Sequence, residues 1–120
     1  MRSDFMEHVN EKDLEFRGSG GRSGVKYLFR GPIIDWGVIV FAPGETLGRH
    51  FHERVEETFY FIDGKGGTMV INDERRPIRI GDAYRLNPTE RHDIINDTDA
   101  PLRAVFIKST YDPKDKVNEA

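Results

Sequence analysis

Between residues 25 and 109 the chain is cut into short apolar runs, each closed within a few positions by Gly, Pro, Asn or Asp. This punctuation constrains the fold more than any other feature. The runs at 25–30, 34–42, 46–52, 57–63, 67–72, 76–80, 83–87, 92–96 and 102–109 are rich in β-branched and aromatic residues. Turn residues such as Gly31-Pro32, Pro43-Gly44, Asp63-Gly64, Asn72-Asp73 and Asn87-Pro88 separate them. No segment beyond Val25 sustains a helical period over three turns. About nine strands at this spacing predict an all-β sandwich or barrel. A chain of 120 residues can bury one core and is too short for two.

The strands divide the chain into three parts: an N-terminal extension with a Gly-rich loop (1–24), the β domain (25–110) and a polar tail (111–120). Residues 1–16 are charged and loosely periodic, compatible with a short helix or strand, and their His8 reads as surface. The stretch RGSGGRSG at 17–24 fails as a phosphate loop. No Gly-Lys-Ser/Thr follows it, and its third glycine position holds Ser23, so it reads as a flexible connection. The tail is expected to be frayed or a short terminal helix. A net charge of −3 without basic blocks gives no electrostatic case for nucleic acid. No apolar run approaches the roughly 18 residues of a membrane span. The first residues lack the apolar centre of a signal peptide, so a cytoplasmic location is expected. Cysteine is absent, which leaves imidazole and carboxylate as the ligands for any metal.

Two stretches carry such groups. The first, residues 44–64, holds His50, His52, Glu56 and Glu57; the second, 81–96, holds His92. Alternate side chains of a strand share a face, so His50 and His52 point together and Phe51 points away. Glu56 and Glu57 point to opposite faces. Glu57 goes with Phe59 and Phe61, Glu56 with Thr58, Tyr60 and Ile62, and since both faces are apolar the pattern does not choose between them. A carboxylate among aromatic rings is costly unless it is paired or bound to metal. Taken alone, His92 at the head of the run 92–96 reads as a hydrogen-bonded structural histidine.

Together these residues resemble the cupin superfamily. Its first motif, G-x5-H-x-H-x3-or-4-E-x6-G, is met by Gly44, His50, His52, Glu57 and Gly64, and the last spacing selects Glu57 over Glu56. Its second, G-x5-P-x-G-x2-H-x3-N, is met by Gly81, His92 and Asn96. Asn87 stands at the motif proline, with Pro88 one position later, and Thr89 stands at the motif glycine. The departures alter the turn before His92 and keep its distance from Gly81. The resemblance implies a cupin-type double-stranded β-helix, a jelly-roll-like barrel of two antiparallel sheets. It also implies a metal site of His50, His52, Glu57 and His92 in the barrel mouth, and a homodimer to which residues 36–41 could contribute an apolar surface.

Three imidazoles and one carboxylate suit a divalent transition metal: Fe, Mn, Ni, Cu, Co or Zn. Four protein ligands in an octahedral field leave two positions for a chelating substrate, water or dioxygen. The resemblance therefore points to a metal-dependent enzyme, a dioxygenase or an isomerase or lyase, acting on a small oxygenated or carboxylated molecule. A non-catalytic ligand-binding or metal-sensing cupin is the alternative, and a purely structural barrel is disfavoured by the complete ligand set. Phe59, Phe61 and Met69 are candidate pocket walls. Tyr27, Tyr60 and Asp93 are candidate acid–base groups by chemistry alone. Arg49, Arg85 and Arg91 read as surface charges in preference to substrate contacts.

Overall fold

The structure, a computed structural model, describes residues 6–119. Positions 1–5 of the N-terminal reading lie outside the described residues. Ten strands form among the described residues: β1 (Gly24–Arg30), β2 (Ile34–Phe41), β3 (His50–His52), β4 (Glu56–Asp63), β5 (Gly67–Ile71), β6 (Glu74–Ile78), β7 (Ala83–Leu86), β8 (His92–Ile95), β9 (Leu102–Ser109) and β10 (Lys116–Asn118). They pair antiparallel in two five-stranded sheets, β1-β2-β9-β4-β7 and β10-β3-β8-β5-β6. This is the expected double-stranded β-helix.

The inner faces follow the two-residue period. In β9, Leu102, Ala104 and Phe106 are buried while Ile107 is exposed. In β4, Phe59 and Phe61 turn inward and Tyr60 turns out. With Ile39, Phe41, Met69, Ile78, Leu86 and Ile94 they make one core between the sheets. Gly64 closes the turn after β4 at φ 130°, where a Cβ would lie 2.7 Å from the Pro101 carbonyl oxygen, so the position admits glycine alone. Fully buried Asn96 ties the end of β8 to the end of β2. Its Nδ2 donates to the carbonyls of Phe41 (2.8 Å) and Ala100 (2.9 Å). Pro77, which has no N–H to give, sits on the sheet edge in β6.

Both ends of the chain depart from expectation. The tail is neither frayed nor helical, because 116–118 pair with β3. Buried Asp115 anchors it by accepting hydrogen bonds from the Arg54 and Val55 amides, both at 2.8 Å. The Gly-rich loop is pinned rather than free. It closes on itself through the Gly18 amide and the Ser23 carbonyl (2.8 Å), and Ser19 and Ser23 hydroxyls donate to Glu45. Ahead of it, Glu11 pairs with Lys26 and Arg103 and so lays the N-terminal segment over the outer face of β1, β2 and β9. Most of the run 36–41 is buried within the chain itself: Ile39 and Phe41 in the core, and Val38 and Val40 on the opposite face. The run predicted at 46–52 is a strand only over its last three residues; the preceding residues are held loosely by the Leu47 amide to Ile94 and the Gly48 amide to the Asp93 side chain.

Candidate metal centre

β3 places His50 and His52 on the inner face, and β8 opens with His92 directly opposite His50. Glu57 reaches the same point from β4 in the other sheet, so the ligand set bridges both layers. One ligand atom from each of the four lies within 4.8 Å of every other. All four residues are buried. Glu57 Oε1 is 3.1 Å from His52 Nε2, 3.3 Å from His92 Nε2 and 3.9 Å from His50 Nε2. Glu56, the other parity, faces outward beside Arg85.

The donor set can be tested for a cation by asking where the imidazole protons are. His50 Nδ1 lies 2.8 Å from the Gly48 carbonyl oxygen, and His92 Nδ1 lies 3.1 Å from that of Glu90. A carbonyl only accepts, so both rings carry their proton on Nδ1. Their Nε2 atoms then face a carboxylate oxygen, and in the neutral rings they present lone pairs to it. That arrangement is repulsive until a cation or a shared proton lies between them, and it is the tautomer a metal requires. His52 is not preset in this way, since its buried Nδ1 has no hydrogen-bond partner among the described residues.

In the metal-free protein a shared proton takes that place. Burial raises the Glu57 carboxyl, but hydrogen bonds donated through the imidazole Nε2 atoms outweigh it and hold the group well below the usual carboxylate range. Burial, the largest influence on His50, pushes its imidazole below the ordinary histidine value. The site is therefore an anionic carboxylate facing a His50 that resists protonation, the state from which metal ligation costs fewest protons.

A cavity of about 680 Å³ opens to the surface from His50, His52 and Glu57. Phe59, Phe106, Ile39, Val55 and Leu47 form its apolar wall. Of the expected wall residues, Phe59 lines it, whereas Phe61 and Met69 are packed in the core and do not reach it. Tyr27 lines it, while Tyr60 is half-exposed on the outer face and Asp93 is turned to the Gly48 and Ile94 amides. The arginines noted in the sequence are away from the cavity: Arg49 and Arg91 pair with Glu119, and Arg85 approaches Glu56. Its charged lining is instead Arg17, Arg30, Asp35, Lys108, Asp112, Lys114 and Lys116, beside Glu57 itself. Parity could have disclosed two of these. Asp35 shares the inner face of β2 with Ile39 and Phe41, and Lys108 shares that of β9 with Phe106.

The Cupin domain family matches residues 37–108, more than half of the chain. The chain belongs to the cupin family. It is 33% identical over 78 residues to the tetracenomycin polyketide synthase protein TcmJ of Streptomyces glaucescens, covering 65% of this chain and 52% of that one. It is 32% identical over 66 residues to gentisate 1,2 dioxygenase 1 of Aquipseudomonas alcaligenes, covering 55% of this chain and 19% of that enzyme. This cupin thus spans about half or less of those two proteins. Its fold is similar to an uncharacterized double-stranded β-helix protein of Klebsiella pneumoniae, with a TM-score of 0.80, 16% identity and coverage of 96% and 98% of the two chains. No helix among the described residues is long and apolar enough to cross a membrane.

Proposed function

We infer that this cupin is a metal-dependent enzyme acting on a small oxygenated or carboxylated molecule, as a dioxygenase or as an isomerase or lyase. The observation that carries the reading is the convergence of His50, His52 and His92 on the Glu57 carboxylate beside an open cavity, with the Nδ1 atoms of His50 and His92 engaged by backbone carbonyls so that their Nε2 atoms turn inward. His50, His52, Glu57 and His92 would hold one divalent transition metal. When bound, the metal supplies Lewis-acid polarisation of a substrate oxygen, or redox chemistry where it is Fe, Cu or Mn. The chain's own contribution is orientation and exclusion of water. Gly48 and Glu90 carbonyls fix two rings, and Phe59 and Phe106 dry the approach. A gentisate dioxygenase among the relatives is consistent with oxygen chemistry. The same reading has the protein act as a homodimer. Ile34, Tyr60, Ile62 and Ile107, each 38–49% exposed on the outer face of one sheet, offer the apolar surface for a second copy.

Elemental analysis of the purified protein, with concentration measured independently, tests the centre. About one equivalent of metal per chain is expected, lost in Glu57→Gln and kept in Glu56→Gln. Equal loss in the two variants, or no metal even after reconstitution, would sink the assignment. The metal found decides whether oxygen consumption or redox-neutral turnover is screened first, and absence of any turnover across small hydroxy and carboxy acids would favour a binding role.

A further inference from the structure

One register row crosses the sheet beside the metal centre: Arg30 on β1, Asp35 on β2, Lys108 on β9 and Glu57 on β4 are direct cross-strand partners in turn. Signs alternate along it, and it ends on the carboxylate of the candidate centre. The adjacent row, Tyr27, Gly37, Phe106, Phe59, is uncharged. Gly37 makes room there: a Cβ would lie 2.0 Å from the Lys26 carbonyl oxygen of β1, and without one the Tyr27 ring meets Phe106 edge-on at 5.2 Å. Tyr27 is thereby held in the cavity with three cations around it. Its hydroxyl accepts from Lys108 Nζ at 2.9 Å, and the guanidinium carbons of Arg30 and Arg17 lie 4.1 and 4.7 Å from its ring centre.

The charges do not cancel. Asp35 is engaged by Arg30 and the Gly31 amide, Asp112 by Arg54, and Glu57 by the imidazoles. Among the described residues neither Arg17 nor Lys108 has a carboxylate within ion-pair distance, yet both line the cavity. Tyr27 orients cations at the cost of crowding like charges, which is unfavourable unless an anion joins them.

We propose that Arg17 and Lys108, set around Tyr27 and backed by Arg30, form a carboxylate subsite, so that the substrate is a small molecule with two oxygen-bearing ends. One end faces the His50, His52, Glu57, His92 cluster, and a carboxylate at the other end sits against Arg17 and Lys108. This deepens the function proposed above and rests on its cavity, but not on its metal. The arginine fork and the lysine point charge match one carboxylate, while Phe59 and Phe106 suit a short apolar connection between the ends.

The test compares L-malate with L-lactate, which differ by one distal carboxylate. Both are titrated by NMR into the metal-free protein and into the protein loaded with Mn2+. Malate is expected to bind about tenfold or more tightly over lactate. The preference should fall to near unity in Arg17→Gln and in Lys108→Met, with metal content unchanged in Arg17→Gln, which lies on the pinned loop away from the ligands. Equal affinities for the two acids, a preference untouched in both variants, or no detectable binding of either acid overturns the subsite. A protein that takes up no Mn2+ but keeps a malate preference sensitive to Arg17 and Lys108 refutes the metal centre and supports the subsite.

Discussion

Glu57 and His50 show how residue chemistry sets the conditions under which the centre exists. The Glu57 carboxyl, raised by burial but lowered further by its three imidazoles, adds stability that is present above its ordinary value of 4.5 and lost as pH falls through its lower folded value. His50 is held below its ordinary value of 6.5, chiefly by burial. Below pH 6.5 the unfolded chain therefore takes up a proton that folded His50 refuses, and stability declines until the folded ring also protonates. Metal ligation by the same imidazole adds a competing demand for the neutral form. The expected outcome is that bound metal and thermal stability both hold above pH 6.5 and fall together on acidification. Metal retention measured across buffers from pH 8 to 4 reads this directly, and retention that is flat to pH 4 would contradict the ligand set.

Elements matter because the ligands depend on turns that carry no ligand. The turn before β8 holds Thr89 at φ 74°, a left-handed conformation that a β-branched residue rarely adopts. This is the position where the family's motif has glycine. The strain is sustained because the Thr89 amide donates to the His52 carbonyl at 2.6 Å and the Glu90 side chain accepts from the Asn87 amide at 2.8 Å. Glu90 in turn presents the carbonyl that orients His92. Thr89→Gly relieves the strain at some cost in chain entropy, for a net stabilisation of about 1 kcal/mol. Chemical denaturation checks it, with the metal equivalents expected to stay constant. A loss of stability would mean that the threonine side chain contributes more than its backbone costs. β10 has a similar standing: a polar tail becomes a strand because Asp115 satisfies two amides of the β3–β4 turn and the neighbouring edge of β3 is open to pairing.

At the scale of the whole molecule, the two sheets divide the work. One carries the three histidines of the candidate centre and the other carries Glu57, Lys108 and Tyr27, so the cluster forms only when both layers close on their shared core. The outer face of the Glu57-bearing sheet is covered by the Glu11–Lys26–Arg103 contacts at one end and exposes Ile34 and Ile107 toward the other. For the homodimer inferred above, Tyr60→Lys together with Ile107→Lys is expected to give a monomer with its metal content intact, read by sedimentation velocity. Wild-type protein that sediments as a monomer at micromolar concentration would remove that role from this face.

Most of the strands from 25 to 109, their turns and the candidate ligands His50, His52, Glu57 and His92, which the fold brings together, were legible in the sequence. Period-two patterning and motif spacing are local, and strand geometry converts them directly into faces. Three things needed the tertiary structure. Ring tautomers are set by the carbonyls of Gly48 and Glu90, backbone groups that every residue type possesses. Strand β10 is a pairing of a polar segment, and its stability comes from a partner 60 or more residues away, as in the Asp115–Val55 bond. The cationic lining joins Arg17, Arg30 and Lys108, which stand far apart along the chain and become neighbours only through sheet register and the Tyr27 ring between them. A sequence records which side chains exist and which face of a strand they take; which of them meet is decided by how strands from distant positions pair.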